Sequence, residues 1–249
     1  EGFSRLAGSV ETELLEKGRN YLDTAIELTS FPLFLHIMRL SPLHDLKMEG
    51  ILTVLRRALL GETQSGRIDE RVLPFSSALA LQCFTNEYVF SETDEEKSAV
   101  EELEREVEAH LEKGEDVSPH LVVTLGAYRP LYGFSWSGDL CDREWCDEVK
   151  EVITRQVSEP QEEYSLRSQI PQLTAIEDTV SRSVREQYEE NPYPRWFKSG
   201  FNTTGKGIGS VLRSSTSLRL DLGDYKSPEN PEVLVAGCGT GQHALQTAT

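Results

Sequence analysis

The sequence predicts a mainly α chain that ends in the opening of an α/β unit. Three observations carry this. Apolar residues recur at steps of three and four along most of residues 10–190. Helix-start signals stand ahead of these stretches, at Thr93 with Glu96 and at Thr174 with Glu177. Only near the end does a short apolar run, VLVA at 233–236, lead directly into alternating glycines, GCGTG at 237–241. The organisation expected is a helical N-terminal domain over 1–160, a connector helix with the NPYPRW segment over 161–200, and an incomplete α/β domain over 201–249.

Within residues 10–60, Pro32 and Pro42 are placed to begin helices, and Leu46, Ile51, Leu52, Leu55 and Leu59 can share a face. Gly61 is the expected stop, followed by a polar loop over 62–71. PFSSALALQCFTNEYVF, 74–90, has little polar face and is expected at the centre of a bundle. Residues 91–116 hold 12 acidic and 3 basic residues. Val100, Leu103, Val107 and Leu111 form one helical stripe there, so the charge run reads as a solvated face, with Gly114 as the C-terminal cap. LVVTLGAYRPLYGF, 121–134, reads as buried helix ending at the Pro130 turn. Residues 142–158 read as another helix, with Trp145, Val149, Val152 and Val157 near one face.

QEEYSLRSQIPQL, 161–173, with Pro160 just ahead of it and Pro171 within it, reads as a polar connection. The helix after it repeats Ile176, Val180, Val184 and Tyr188 every four residues and ends before Pro192. GFNTTGKGIGS, 200–210, is a glycine-rich loop.

Composition removes several classes. The 249 residues are 38% hydrophobic and 27% charged, enough for a true core. A net charge of −17 disfavours nucleic acid or an anionic membrane as a partner through bulk charge. No segment reaches the ~18 uninterrupted apolar residues of a membrane span. The start carries neither a signal peptide nor an initiator Met. Cys83, Cys141, Cys146 and Cys238 form no ligand set for zinc, so no metal is expected and reduced thiols in a cytoplasmic protein are.

The chemistry sits in the final motif. An apolar strand, a glycine loop and a helix N-terminus together let backbone approach an anionic or polar cofactor closely. Gly237, Gly239 and Gly241 follow G-x-G-x-G. The dinucleotide form G-x-G-x-x-G is broken by Gln242, and GKGIGS at 205–210 is not a phosphate-binding P-loop because no apolar strand precedes it.

VLVAGCGTG resembles the first motif of class I S-adenosylmethionine-dependent methyltransferases. QYEENPYPRWF, 187–197, followed by VLVAGCGTGQHA, 233–244, is similar to a bacterial group of these enzymes with a helical, tetratricopeptide-like N-terminal region. The resemblance is sharp over about 160–249 and diffuse before it. It implies a Rossmann-like catalytic domain, S-adenosyl-L-methionine as cofactor and an unidentified methyl acceptor. Carried over by position, Ala236, Gly237, Cys238, Gly239 and Gly241 line the cofactor loop. Val235 stands where the family usually places an acidic residue that helps hold the methionine part of the cofactor or its loop. A complete domain of this type needs roughly 150 further residues. The resemblance therefore implies a fragment, inactive alone and lacking the ribose-binding carboxylate.

Tyr188, Asn191, Tyr193, Arg195 and Trp196 carry two readings. They form a lid over the cofactor, with aromatic faces toward the sulfonium, or they stiffen and anchor a linker. His243 either donates to the cofactor or caps the first helical turn. Methyl transfer relies on alignment of the acceptor with an already activated methyl group, so no catalytic residue is assigned. Two other function classes stay open. One is a helical protein-interaction module, with a protein partner recruited through the helical domain. The other, disfavoured by Gln242, is an NAD-dependent oxidoreductase.

Overall fold

Local signals set most helix limits. The computed structural model of the chain describes residues 21–170, 177–190, 205–214, 220–237 and 239–248. It is mainly α, and no strand occurs among the described residues. Helices α1 (Tyr21–Thr29), α2 (Pro32–Leu40), α3 (Leu46–Gln64), α4 (Leu73–Thr85), α5 (Asp94–Glu112) and α6 (Pro119–Gly126) are followed by α7 (Ser137–Cys141), α8 (Asp147–Ile153) and α9 (Glu159–Arg167). After these come α10 (Thr179–Glu190), α11 (Ile208–Ser214) and α12 (Gln242–Ala248). The chain divides into two compact units, Glu1–Pro171 and Gln172–Thr249.

Pro32 and Pro119 each open a helix, where a missing N–H has no consequence. Pro42 does not. Asp45 starts α3 instead, its carboxylate accepting the backbone N–H groups of Lys47 and Met48, both at 3.0 Å. Gly61 does not stop α3 either, because an exposed helix interior tolerates glycine at about 1 kcal/mol. The end comes at Gly66, in the left-handed region at φ +65°, with Gly66 N–H bonded to the Thr63 carbonyl and Arg67 N–H to that of Glu62.

The capping box of α5 forms as the sequence indicates. Thr93 Oγ1 accepts from Glu96 N–H at 3.2 Å, and Glu96 Oε2 accepts from Thr93 N–H at 2.9 Å. Val100, Leu103, Val107 and Leu111 are buried while Glu101, Glu102 and Glu106 face solvent. Gly114 closes the helix at φ +67° with the same pair of terminal bonds as Gly66.

In the first unit α4 is central. Every residue from Phe75 to Thr85 is buried, and α1, α2, α3, α6 and α8 all pack on it. Truncating a fully buried leucine here, such as Leu81, costs about 2–5 kcal/mol.

The expected polar connection after residue 160 is instead helix. The run Asp147–Arg167 continues through a π-turn, Thr154–Ser158, into α9. Pro160 lacks the N–H that would bond four residues back to Gln156, and the widened turn accommodates its ring. The expected limit at 160 therefore falls inside continuous helix.

In the second unit, Thr174 lies outside the described residues, and α10 begins at Thr179 with Asp178 as its cap. Asp178 Oδ2 accepts Ser181 N–H at 2.8 Å. That bond holds the Asp178 carboxyl below its ordinary pKa. Gly209 in α11 meets Ser227 closely: a Cβ there would stand 3.1 Å from the serine Cβ.

Candidate functional site

The glycine motif forms a turn between an irregular segment and a helix. Gly237, Gly239 and Gly241 have φ of +69°, +53° and +84°. These are conformations in which a Cβ is strained, so residue type and backbone agree at all three positions. A Cβ built on any of the three meets no atom within 4 Å. The space beside these three Cα atoms is open.

Gly241 immediately precedes α12. Its carbonyl accepts Leu245 N–H at 2.9 Å. His243 is exposed, and its carbonyl accepts the Thr247 hydroxyl at 2.8 Å. Ala236 is exposed in the same turn. Cys238 lies outside the described residues.

The expected strand over 233–236 is not formed among the described residues: 233–235 carry no regular structure and Ala236 lies in the turn. Val233 is 47% and Leu234 93% exposed. A single extended segment has no neighbour to take its N–H and C=O groups, which is the physical reason it does not register as sheet.

Tyr188 lies on α10, 62% exposed, on the same stripe as the exposed Val180 and Val184. Asn191, Tyr193, Arg195 and Trp196 lie outside the described residues. Tyr188 is therefore the only member of the possible lid whose position is described, and no contact between it and the glycine loop is among the described bonds.

Sequence reasoning missed the polar centre of the helical unit. Arg56 on α3 is 1% exposed. Its guanidinium lies over the Tyr128 ring at 4.1 Å and the Phe90 ring at 5.6 Å. It donates to the carbonyls of Ser91 at 2.9 Å and of Phe90 and Ala127 at 3.4 Å. Tyr128 in turn donates to Glu96, and burial, with that bond, raises the phenol above its ordinary range. The buried Cys83 thiol is pushed up to about 12, chiefly by burial. A thiol so placed is not a nucleophile at neutral pH. One signal was available for Arg56: it occupies the helix row between Leu52 and Leu59 and so faces the core.

Among the described residues no group of three His, Cys, Asp or Glu side chains is placed to hold a metal ion, and no helix is long and apolar enough to cross a membrane. No family model, curated protein or solved structure matches the chain.

Proposed function

We propose that this chain carries the first part of an S-adenosylmethionine-dependent methyltransferase, its helical region preceding a Rossmann-like catalytic domain. One observation carries the reading: Gly237, Gly239 and Gly241 all adopt positive φ, with open space where side chains would project. Backbone of this conformation with no atom standing close fits a ligand approached by main chain rather than by side chains. The residues that would hold the cofactor are Ala236, Gly237, Gly239 and Gly241, together with Cys238.

When bound, S-adenosylmethionine supplies a methyl group already activated on sulfonium. The chain's own task at this loop is to bind and orient. The loop offers backbone rather than side-chain chemistry, in keeping with a reaction that does not require a general base from this segment. Val235 in place of a carboxylate means that the loop itself contributes no negative charge toward the amino-acid end of the cofactor. The methyl acceptor is left open, and the helical unit is a candidate for recruiting it.

Equilibrium binding tests the reading. The product of the whole reading frame is expected to bind S-adenosylmethionine at micromolar concentration. Residues 1–249 alone should bind at least about 100-fold more weakly, because Val233–Ala236 has no strand partner among the described residues. No binding by the whole product, or preferential binding of NAD, overturns it.

A further inference from the structure

A small cavity lies between α3, α4 and α6 in the helical unit, lined by Arg56, Leu59, Ser76, Leu79, Val123 and Thr124. It has room for about one water-sized occupant. Arg56 is 1% and Ser76 3% exposed. Arg56 Nε and Ser76 Oγ, both hydrogen-bond donors, have no hydrogen-bond partner among the described residues. Thr124 is already satisfied through the Thr63 hydroxyl, 3.0 Å away.

The charge is unbalanced as well. Arg56 makes no ion pair among the described residues; it contacts carbonyls, two rings and the neutral Cys83 thiol. The nearby carboxylates are engaged elsewhere: Glu96 with Arg57 at 3.0 Å, and Glu92 with Arg129 at 2.7 Å. A buried cation without a counter-charge is costly. A neutral occupant could accept from both free donors but would leave that charge in place. An anion would do both.

We propose that this cavity is a binding site for one monatomic monovalent anion of the chloride class, held by Arg56 Nε and Ser76 Oγ. Size excludes phosphate, sulfate and carboxylates. The walls of Leu59, Leu79 and Val123 favour a weakly hydrated halide over a strongly hydrated ion. The site is structural and independent of the glycine loop.

Thermal unfolding of the 249-residue chain tests this, with sodium chloride replacing sodium gluconate at constant ionic strength. The expected result is a saturable rise in Tm of about 3 °C up to 200 mM chloride. Ser76→Ala, a mild change within a helix, should remove most of that rise while the chain stays folded. Crystals grown with bromide should show an anomalous peak between Arg56 and Ser76. Equal Tm in the two salts, or an unchanged chloride response in Ser76→Ala, overturns the proposal. So does an ordered water without anomalous signal, or a bromide peak with no chloride response in solution, which is binding at crystal concentration only.

Discussion

The Tyr128 hydroxyl donates to Glu96 Oε1 at 2.8 Å, so a residue just beyond α6 is bonded to the carboxylate that closes the capping box of α5. Glu96 also pairs with Arg57 at 3.0 Å and is 3% exposed. One side chain thus caps a helix and joins three segments. Glu96→Ala leaves a buried phenol and the Thr93 N–H without their partner. It should lower unfolding stability by about 2–4 kcal/mol in urea titrations followed by circular dichroism. Thr93→Ala, which removes only the cap, should lose about 1 kcal/mol.

The same residue makes stability depend on acid. Burial pushes the Glu96 carboxyl up, but bonds from Thr93 N–H, Tyr128 and Arg57 outweigh burial and hold it below its ordinary value. A carboxyl depressed in the folded state contributes its full stabilisation above its unfolded pKa, about 4.3. That contribution fades as pH falls through the lower folded value. Between pH 5 and pH 3 the wild type should therefore lose more stability than Glu96→Gln, as measured by urea midpoints at each pH.

Glu87 occupies a position that glycine takes at two other helix ends. At φ +59° it closes α4, with Glu87 N–H bonded to the Phe84 carbonyl and Tyr88 N–H to that of Cys83, the same pair of bonds seen at Gly66 and Gly114. A left-handed non-glycine residue costs roughly 1–2 kcal/mol, part of which glycine returns through unfolded-state entropy. Glu87→Gly should raise stability by about 0.5–1 kcal/mol, and Gly114→Ala should lower it by a similar amount. Equal and opposite shifts in thermal midpoint would check the pair.

These cases mark what the sequence made legible. The capping box, the α5 stripe and Gly114 were readable because each depends on residues within five positions. The central placement of α4 was readable from its lack of a polar face. Asp45 and Asp178 displaced the expected starts because several capping residues competed within a few positions. Helix α9 was hidden behind Pro160, whose cost is relieved by a π-turn that no local pattern announced. Arg56 needs Phe90, Ser91 and Ala127, and such distant partners leave no periodic mark. At the glycine loop, residue type foretold positive φ at all three positions. The strand expected before it from the apolar run is not formed among the described residues, because sheet requires neighbours.

Gln156, fully buried in the π-turn, donates to the carbonyls of Ala80 and Gly126, both at 3.0 Å, and accepts from the Tyr88 hydroxyl at 3.3 Å and Leu131 N–H at 3.4 Å. Gln156→Glu keeps the shape but replaces the two donors with an acceptor facing two carbonyls. At pH 7 it should lose more than about 3 kcal/mol, exceeding the loss in Gln156→Leu, and should recover part of it on acidification as the buried carboxyl takes up a proton. Chemical denaturation at pH 7 and pH 5 separates the two variants.

Cysteine labelling tests the core directly. Cys141 and Cys146 are exposed, whereas Cys83 is buried with its thiol pushed up to about 12. Peptide-level mass spectrometry after iodoacetamide treatment at pH 8 should find the first two alkylated within minutes. Cys83 should react only in denaturant.

The measurement closest to the central proposal is calorimetric titration of S-adenosylmethionine into the product of the whole reading frame, beside its Gly239→Val variant. Gly239 sits at φ +53° with open space at its Cβ position. A valine there must strain the turn and project into the space assigned to the cofactor. The parent should bind at micromolar concentration and the variant at least about 100-fold more weakly, with the helical circular dichroism signal unchanged. Equal affinity in the two proteins, or no binding in either, would contradict it.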